Sequence, residues 1–202
     1  MATRQLRQTT ETRQAEIVAT FLRLAAERSA LDISTTDIAS AMSLSQGALF
    51  KHFSSKEAIR LAVVDWIEDE LMQRLQAAQQ SASSPLVALR DMFMAHVEFV
   101  IDCPGAPRFI FGELQSPDAT PVKSRVCRLM QQYRTLLNQV LDEAMESRLI
   151  GSGIDRQAAA AMFLGGIQGL VIQSMISGDA TRLREQAQGV FQIYLLGLET
   201  RP

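Results

Sequence analysis

The stretch Ser43–Phe53, which reads SLSQGALFKHF, decides how the amino-terminal part of the chain folds. Leu49 and Phe53 are four residues apart, so they share one face of a short helix and are predicted to be buried together. Gly47 and Phe50 then lie on the opposite face, toward solvent. Glycine destabilises a helix by roughly 1 kcal/mol relative to alanine, and an exposed phenylalanine buries nothing. This face is therefore expected to meet something outside the chain.

Two more helices are predicted before this one. The first runs from about Thr10 to Ser29, with apolar residues at helical spacing. The second begins at Ser34, whose side chain can cap the free N–H groups, while Asp37 favours the positive end of the helix. It stops at Ser43, and the third helix starts near Ser45. So short an interruption makes a helix-turn-helix, a hairpin that also occurs as a purely structural element.

The remaining chain is also predicted to be helical. A longer fourth helix opens at Ser54–Glu57 and fades into a loop at Gln79–Pro85. Glycine-containing stops follow at Gly151–Gly153 and Ser177–Asp179. The expected body segments are Leu86–Cys103, a short piece between Pro104 and Pro117, Thr120–Ile150, Asp155–Ser177 and Thr181–Glu199. The fold class is thus all-α with about nine helices: a three-helix head, a connecting helix and a five-helix body.

Composition places the chain among ordinary globular proteins, with 202 residues, 47% hydrophobic and 21% charged. The net charge of −2 hides an asymmetry, because residues 1–60 hold eight Lys or Arg against six Asp or Glu. No run approaches the ~18 uninterrupted apolar residues of a membrane span. The polar amino terminus has no secretory apolar core, so we expect a cytoplasmic protein without disulfides.

The outward face of the third helix carries the chemistry of a DNA-binding surface. Lys51, His52 and Lys56 lie within six residues. Cations, hydroxyls and free helix N-termini are the groups that contact phosphates of duplex DNA, and the nearby hydroxyls are those of Thr35, Thr36, Ser45, Ser54 and Ser55. Phe50 offers an apolar edge suited to a thymine methyl group or a deoxyribose. We predict that this face enters a major groove.

The run Ile38–Phe53, followed by Ser54–Ile59, resembles the TetR family of bacterial transcriptional regulators over residues 10–67. The resemblance implies a helix-turn-helix DNA-binding domain at 1–56 and a ligand-binding and dimerisation domain at 57–202. It also implies base-facing positions and backbone-contacting positions on the recognition helix. With the neighbouring groups, the predicted DNA-binding set is Thr35, Thr36, Ser45, Gln46, Gly47, Ala48, Phe50, Lys51, His52 and Lys56.

Four residues depart from the pattern that the resemblance implies. Ser29 and Ser43 stand where the family often has glycine, so Ser43 is expected to accept the turn in a left-handed conformation. Phe50 replaces a common tyrosine and lacks its phosphate-binding hydroxyl. Gln46 replaces a frequent lysine, which exchanges a phosphate or guanine contact for an amide that can read adenine.

A glycine pair suggests where two copies meet. Gly165 and Gly169 are four residues apart inside an apolar helix, so they permit close helix approach on one face. That face serves either internal packing or a subunit seam. In the family the two C-terminal helices usually make the dimer, which favours a homodimer on a palindromic operator. The predicted interface residues are Gly165, Gly169, Ile172, Gln173, Val190 and Tyr194.

An effector pocket is implied by the resemblance rather than by a motif. The candidate lining residues are Phe93, His96, Phe99, Phe109, Phe111, Met130, Tyr133 and Phe163. Most aromatic residues of this kind are ordinary core, and His96 is either a polar handle in a cavity or a satisfied core histidine. The segment Pro104–Gly112 interrupts helical regularity and is a candidate gate. Cys103 and Cys127 are expected to be buried and inert, with a thiol sensor as the alternative.

The sequence predicts a sequence-specific DNA-binding transcriptional regulator. The finer prediction is a ligand-responsive homodimeric repressor that leaves its palindromic operator when a small, largely apolar molecule binds. The alternative is a helical small-molecule binding or adaptor protein with a non-functional head. No metal-ligand spacing, phosphate loop or nucleophile–base pattern is present, so no cofactor, metal, catalytic residue or membrane partner is expected.

Overall fold

The computed structural model describes residues 9–179 and 182–198, and all regular secondary structure within those ranges is helical. This confirms the all-α prediction. The helices are α1 (Thr10–Glu27), α2 (Thr35–Ala41), α3 (Gln46–Leu49), α4 (Lys56–Ser81), α5 (Pro85–Asp102), α6 (Gly105–Gln115), α7 (Pro121–Glu146), α8 (Arg156–Ser177) and α9 (Leu183–Leu198).

The helices divide into two compact units. The first unit comprises the described residues up to Ile67 together with Cys103–Val126, and the second comprises Glu68–Asp102 and the described residues from Cys127 onward. Helices α4 and α7 each contribute to both units. The first unit therefore contains the helix-turn-helix and, far along the chain, α6.

In the first unit, α1 packs against α6 and α2. The rings of Phe21 and Phe109 meet edge to face, with centroids 5.4 Å apart, an arrangement that aromatic quadrupoles favour. At Gly105 a side chain is impossible without a shift of backbone, because its Cβ would lie 1.9 Å from the Leu22 carbonyl oxygen. Close approach of the two helices therefore requires this glycine.

In the second unit, α5, α8 and α9 pack on one another around an aromatic cluster. The Phe93 and Phe163 rings lie 5.2 Å apart edge to face, and Phe163 meets Tyr194 at 5.7 Å. Phe191 joins the cluster through both Phe93 and Tyr194. These side chains come from three helices, so their packing stabilises the second unit.

Several helix ends follow their predicted local signals. Ser34 and Asp37 form a reciprocal capping box at the start of α2. Asp155 caps α8 through the backbone N–H groups of Gln157 and Ala158. The far end of α8 stops at Gly178, which takes the left-handed conformation with φ 68°.

Two expectations were wrong. The segment predicted to interrupt helical regularity folds as α6, because Pro107 occupies its first turn, where the missing N–H has no helical partner to lose. Neither cysteine is buried as expected, because Cys127 is exposed and Cys103 is half-buried. By length and composition α8 would be able to cross a membrane, but core helices of soluble proteins meet the same criteria.

Candidate functional site

The turn between α2 and α3 depends on Ser43. Its φ is 55°, so the left-handed conformation expected from the sequence is confirmed. The turn is closed by the Leu44 N–H, which donates to the Ala39 carbonyl at 2.8 Å. This local geometry ends α2 and directs the chain into α3 within a few residues.

Helix α3 is only four residues long, and the surrounding unit holds it in place. The Ser45 hydroxyl caps it by accepting a hydrogen bond from the Ala48 N–H at 3.1 Å. Leu49 is completely buried, and Phe53 is 7% exposed. These two anchors confirm the predicted inner face and fix the orientation of the opposite face.

The outward face of α3 is largely open to solvent in the described part of the chain. Gln46, Gly47 and Lys51 are exposed, and 42% of the Phe50 surface is open to solvent. A Cβ placed on Gly47 would have no atom within 4 Å. The glycine is therefore not required by packing within the described part of the chain.

Residues after α3 are held by contacts from other helices. The Gln14 amide on α1 donates to the His52 carbonyl at 2.8 Å. His52 Nδ1 is buried and has no hydrogen-bond partner among the described residues. The residue is half-buried, so its solvent-exposed surface belongs to atoms other than Nδ1. The Lys56 ammonium donates to the Leu31 carbonyl at 3.4 Å, and burial, with the Arg60 charge, lowers the pKa of Lys56.

The two threonines at the start of α2 differ in their surroundings. Thr36 is exposed, whereas Thr35 is half-buried and its hydroxyl accepts a hydrogen bond from Gln46 Nε2 at 2.8 Å. Hydrogen bonds from the Ser34 hydroxyl and backbone N–H lower the pKa of Asp37 to about 2. Asp37 therefore stays ionised as the cap of the helix that carries both threonines.

All ten predicted DNA-binding residues lie in the first unit, on α2, at the N-cap of α3, on α3, just after α3 or in the first turn of α4. Sequence reasoning missed two supports of this region. They are the Gln14 side chain and an ion pair between Arg60 and Glu113. Neither has a local signal, because the partners lie 38 and 53 residues apart.

The predicted effector residues are split between the units. Phe109 and Phe111 belong to the first unit, where Phe109 packs on Phe21. The other six belong to the second unit: Phe93, His96, Phe99, Met130, Tyr133 and Phe163.

Within the second unit, His96 and Tyr133 form a polar pair in apolar surroundings. His96 Nδ1 and the Tyr133 hydroxyl are 3.2 Å apart, and Tyr133 is completely buried. Burial lowers the pKa of His96 to about 4 and raises that of Tyr133 above its ordinary value. Both groups are therefore neutral at pH 7, and each offers a directional hydrogen bond inside the body.

Helices α8 and α9 together form an exposed apolar surface. A groove of about 620 Å³ between them is lined by Met162, Gly165, Val190, Ile193 and Tyr194 among others. Met162 and Ile193 are 66% and 73% exposed. Side chains at Gly165 or Gly169 would meet no atom within 4 Å, so the internal-packing alternative does not hold in the described part of the chain. The Tyr194 hydroxyl is buried there without a described partner.

Polar side chains also line a part of the second unit away from the α8–α9 groove. A second groove of about 680 Å³ in the second unit is lined mainly by polar residues of α4 and α7. Across residues 9–179 and 182–198, no group of three or more His, Cys, Asp or Glu side chains is placed to hold a metal ion.

The family profile described as bacterial regulatory proteins of the tetR family matches residues 17–63, which include the helix-turn-helix. Residues 17–63 thus form a TetR-type regulatory domain. It is similar to the nucleoid occlusion factor SlmA of Photobacterium profundum, with 27% identity over 68% of this chain and 70% of that protein. SlmA of Vibrio cholerae is 26% identical over the same shares.

Solved structures of other regulators share the fold over nearly the whole chain. The ketosteroid regulator KstR2 of Mycobacterium tuberculosis has a TM-score of 0.81 and 22% identity, and the match covers 98% of each chain. The fatty acid degradation regulator FadR of Bacillus halodurans has a TM-score of 0.82 and 18% identity, covering 93% of this chain and 97% of that one. The family match supports a DNA-binding domain at residues 17–63, and the solved structures show that the whole chain has the fold of these regulators.

Proposed function

We propose that this chain is a homodimeric repressor that binds a palindromic operator and releases it when a small, largely apolar molecule binds. The observation that carries the proposal is the outward face of α3. Its glycine has open space around it, its aromatic residue is 42% exposed, and its helix is held by a cap and two buried anchors. Such a fixed and largely solvent-exposed face suits a major groove.

The proposed division of labour follows the positions that the resemblance to the TetR family implies. Ser45, Gln46, Gly47 and Ala48 at the start of α3 face the bases. The remaining predicted residues, Thr35, Thr36, Phe50, Lys51, His52 and Lys56, contact sugar and phosphate. Phosphate contacts fix the register of a protein on the duplex, while base contacts carry the sequence information.

A second copy is proposed to cover the apolar surface of α8 and α9. Large apolar side chains there are more than half exposed, which is unusual for a monomer when they are contiguous. The buried Tyr194 hydroxyl would gain a partner across the interface. Two-fold symmetry of the protein then matches the symmetry of the operator.

The effector is proposed to bind in the second unit near the His96–Tyr133 pair. That pair supplies polar contacts among aromatic side chains, the usual composition of a small-molecule site. Solved relatives of similar fold are named for ketosteroid and fatty acid regulation, and FadR of Bacillus subtilis was solved with stearoyl-CoA. A ligand with a large apolar part is consistent with these names.

Release is proposed to work as a shift between two conformations of the dimer. Effector binding favours the conformation in which the two heads no longer match the operator spacing, with α4 as the connecting element. A differential affinity of about 5.5 kcal/mol moves an equilibrium from 1:99 to 99:1. We expect this to take place in the cytoplasm, where the DNA is.

The test compares DNA binding by the Gly47→Leu variant and by a matched Gly153→Leu variant, using the duplex upstream of the protein's own gene. Both glycines have open space, so both variants should fold with unchanged melting temperature. Gly47→Leu should lose binding in a gel shift, while Gly153→Leu should bind like the wild type. Equal binding by both would exclude the α3 face, and a wild type without affinity for any duplex would favour the adaptor alternative.

A further inference from the structure

Thr35 and Gln46 form a hydrogen-bonded pair at the surface proposed to face DNA, and the following inference rests on that proposed function. We propose that Thr35 is a specificity-determining positioning residue. Its hydroxyl holds the Gln46 amide in the orientation that reads an A·T base pair.

The pair links two fixed helix ends. Thr35 is the first residue of α2 and Gln46 the first residue of α3. The Ser34 capping box fixes one end, and the Ser45 cap fixes the other. Gln46 Nε2 lies 2.8 Å from Thr35 Oγ1, an ordinary hydrogen-bond distance.

The Thr35 side chain is a suitable anchor for a flexible neighbour. It is half-buried and β-branched, so its χ1 angle has few alternatives. A glutamine alone on a surface has three rotatable bonds and loses considerable rotamer freedom when it is fixed on a base. The hydrogen bond removes part of that freedom before DNA arrives, so less is lost on binding.

The remaining hydrogen-bonding groups of Gln46 match one base. A primary amide has two N–H donors and one carbonyl acceptor. With one N–H donated to Thr35, one donor and the acceptor remain. Adenine presents one acceptor, N7, and one donor, the N6 amino group, in the major groove, whereas guanine presents two acceptors. The held amide therefore satisfies adenine and leaves guanine O6 facing a carbonyl oxygen.

The hydroxyl proton of Thr35 completes the arrangement. While the oxygen accepts from Gln46, its proton is free to be donated to a DNA phosphate. A phosphate in that place would fix the hydroxyl as the acceptor toward Gln46 and polarise the chain of hydrogen bonds. Thr35 would thereby contact the DNA backbone and also position the side chain that reads the base.

The experiment selects binding sites from a random duplex pool with the wild type, Thr35→Val, Thr35→Ser and Thr36→Val. Thr35→Val keeps the shape and removes the hydroxyl, Thr35→Ser keeps the hydroxyl, and Thr36→Val removes the neighbouring hydroxyl. Equilibrium affinities are then measured for the selected site and for the same site with its A·T pair replaced by G·C. Melting temperatures check that every variant folds.

We expect the wild type and Thr35→Ser to select adenine at one position of each half-site. Thr35→Val should lower the A·T over G·C preference there about fivefold, which corresponds to roughly 1 kcal/mol. Thr36→Val should weaken binding equally on both duplexes. In a Gln46→Ala background, Thr35→Val should no longer affect the preference, because the held amide is gone.

The proposal is overturned if Thr35→Val keeps the full preference or weakens both duplexes equally, since Thr35 would then act only on the backbone. Selection of guanine at that position by the wild type would overturn the assigned amide orientation. A wild type that binds without any sequence preference would overturn the proposed function itself, and this inference with it.

Discussion

The Arg60 guanidinium on α4 donates two hydrogen bonds, from Nε at 2.9 Å and from Nη2, to one carboxylate oxygen of Glu113 on α6. Glu113 is 1% exposed, and among the described residues it is the charged residue that is buried in the core. Both partners lie in the first unit, and Arg60 is one helical turn beyond Lys56 on α4. The pair ties the start of α4 to the helix that packs on α1.

Removing Glu113 should therefore destabilise the protein. Glu113→Ala leaves the largely buried Arg60 charge without a partner, at a cost on the order of 3 kcal/mol in the free energy of unfolding measured with urea. The double variant Arg60→Met, Glu113→Leu should recover most of the loss. Asp142→Ala, which breaks an exposed pair with Arg156, should change little. An equal effect of the two single variants would contradict this account of the buried pair.

Replacing Ser43 should stabilise the turn. A non-glycine residue at φ 55° carries a steric cost that glycine avoids, although glycine makes the unfolded chain more flexible. We expect Ser43→Gly to raise the free energy of unfolding by about 0.5–1 kcal/mol and Ser43→Val to lower it, as read from thermal melts. The reverse order would mean that the hydroxyl itself holds the turn.

Lys56 should contribute to DNA affinity through its charge. Lys56→Ala should weaken binding by about the same factor on all sequences and reduce the slope of log K against log salt by roughly one unit. Lys123→Ala removes the same charge at the start of α7, outside the proposed interface, and should leave the slope unchanged. Unchanged Lys56→Ala binding at low salt would refute the phosphate contact.

His96 should make stability depend on pH. Burial lowers its pKa to about 4 from an ordinary 6.5, so between these values the unfolded chain binds a proton that the folded chain does not. The free energy of unfolding should fall as pH decreases through this window, by on the order of 1–2 kcal/mol between pH 7 and pH 5. Urea titrations of His96→Gln should show a weaker dependence over the same range. An identical slope in the variant would assign the effect to other groups.

The α8–α9 surface should set the oligomeric state. Ile193 is 73% exposed in the single chain, so an aspartate there should leave the fold intact but place a charge in the proposed seam. Sedimentation should show a dimer for the wild type and a monomer for Ile193→Asp. Leu149→Asp, which lies outside the groove, is the control. A wild-type monomer at micromolar concentration would count against the interface.

Local patterns in the sequence were sufficient to predict most of the helices and the helix-turn-helix of the amino-terminal head. The capping box at Ser34, the left-handed turn at Ser43 and the inward side of Leu49 and Phe53 all depend on residues within a few positions. Periodicity and capping act over one or two turns, so the sequence carries them directly. The helix α6 was harder to predict from the sequence. A proline interrupts a helix only when it lies beyond the first turn, and Pro107 lies within the first turn of α6.

Tertiary structure alone decided which distant side chains meet. Thr35 with Gln46, His96 with Tyr133, and Arg60 with Glu113 lie 11, 37 and 53 residues apart. It also decided that Gly165 faces open space rather than a neighbouring helix. Such pairings depend on how whole helices pack, and side-chain chemistry along one helix carries no record of which helix will lie opposite.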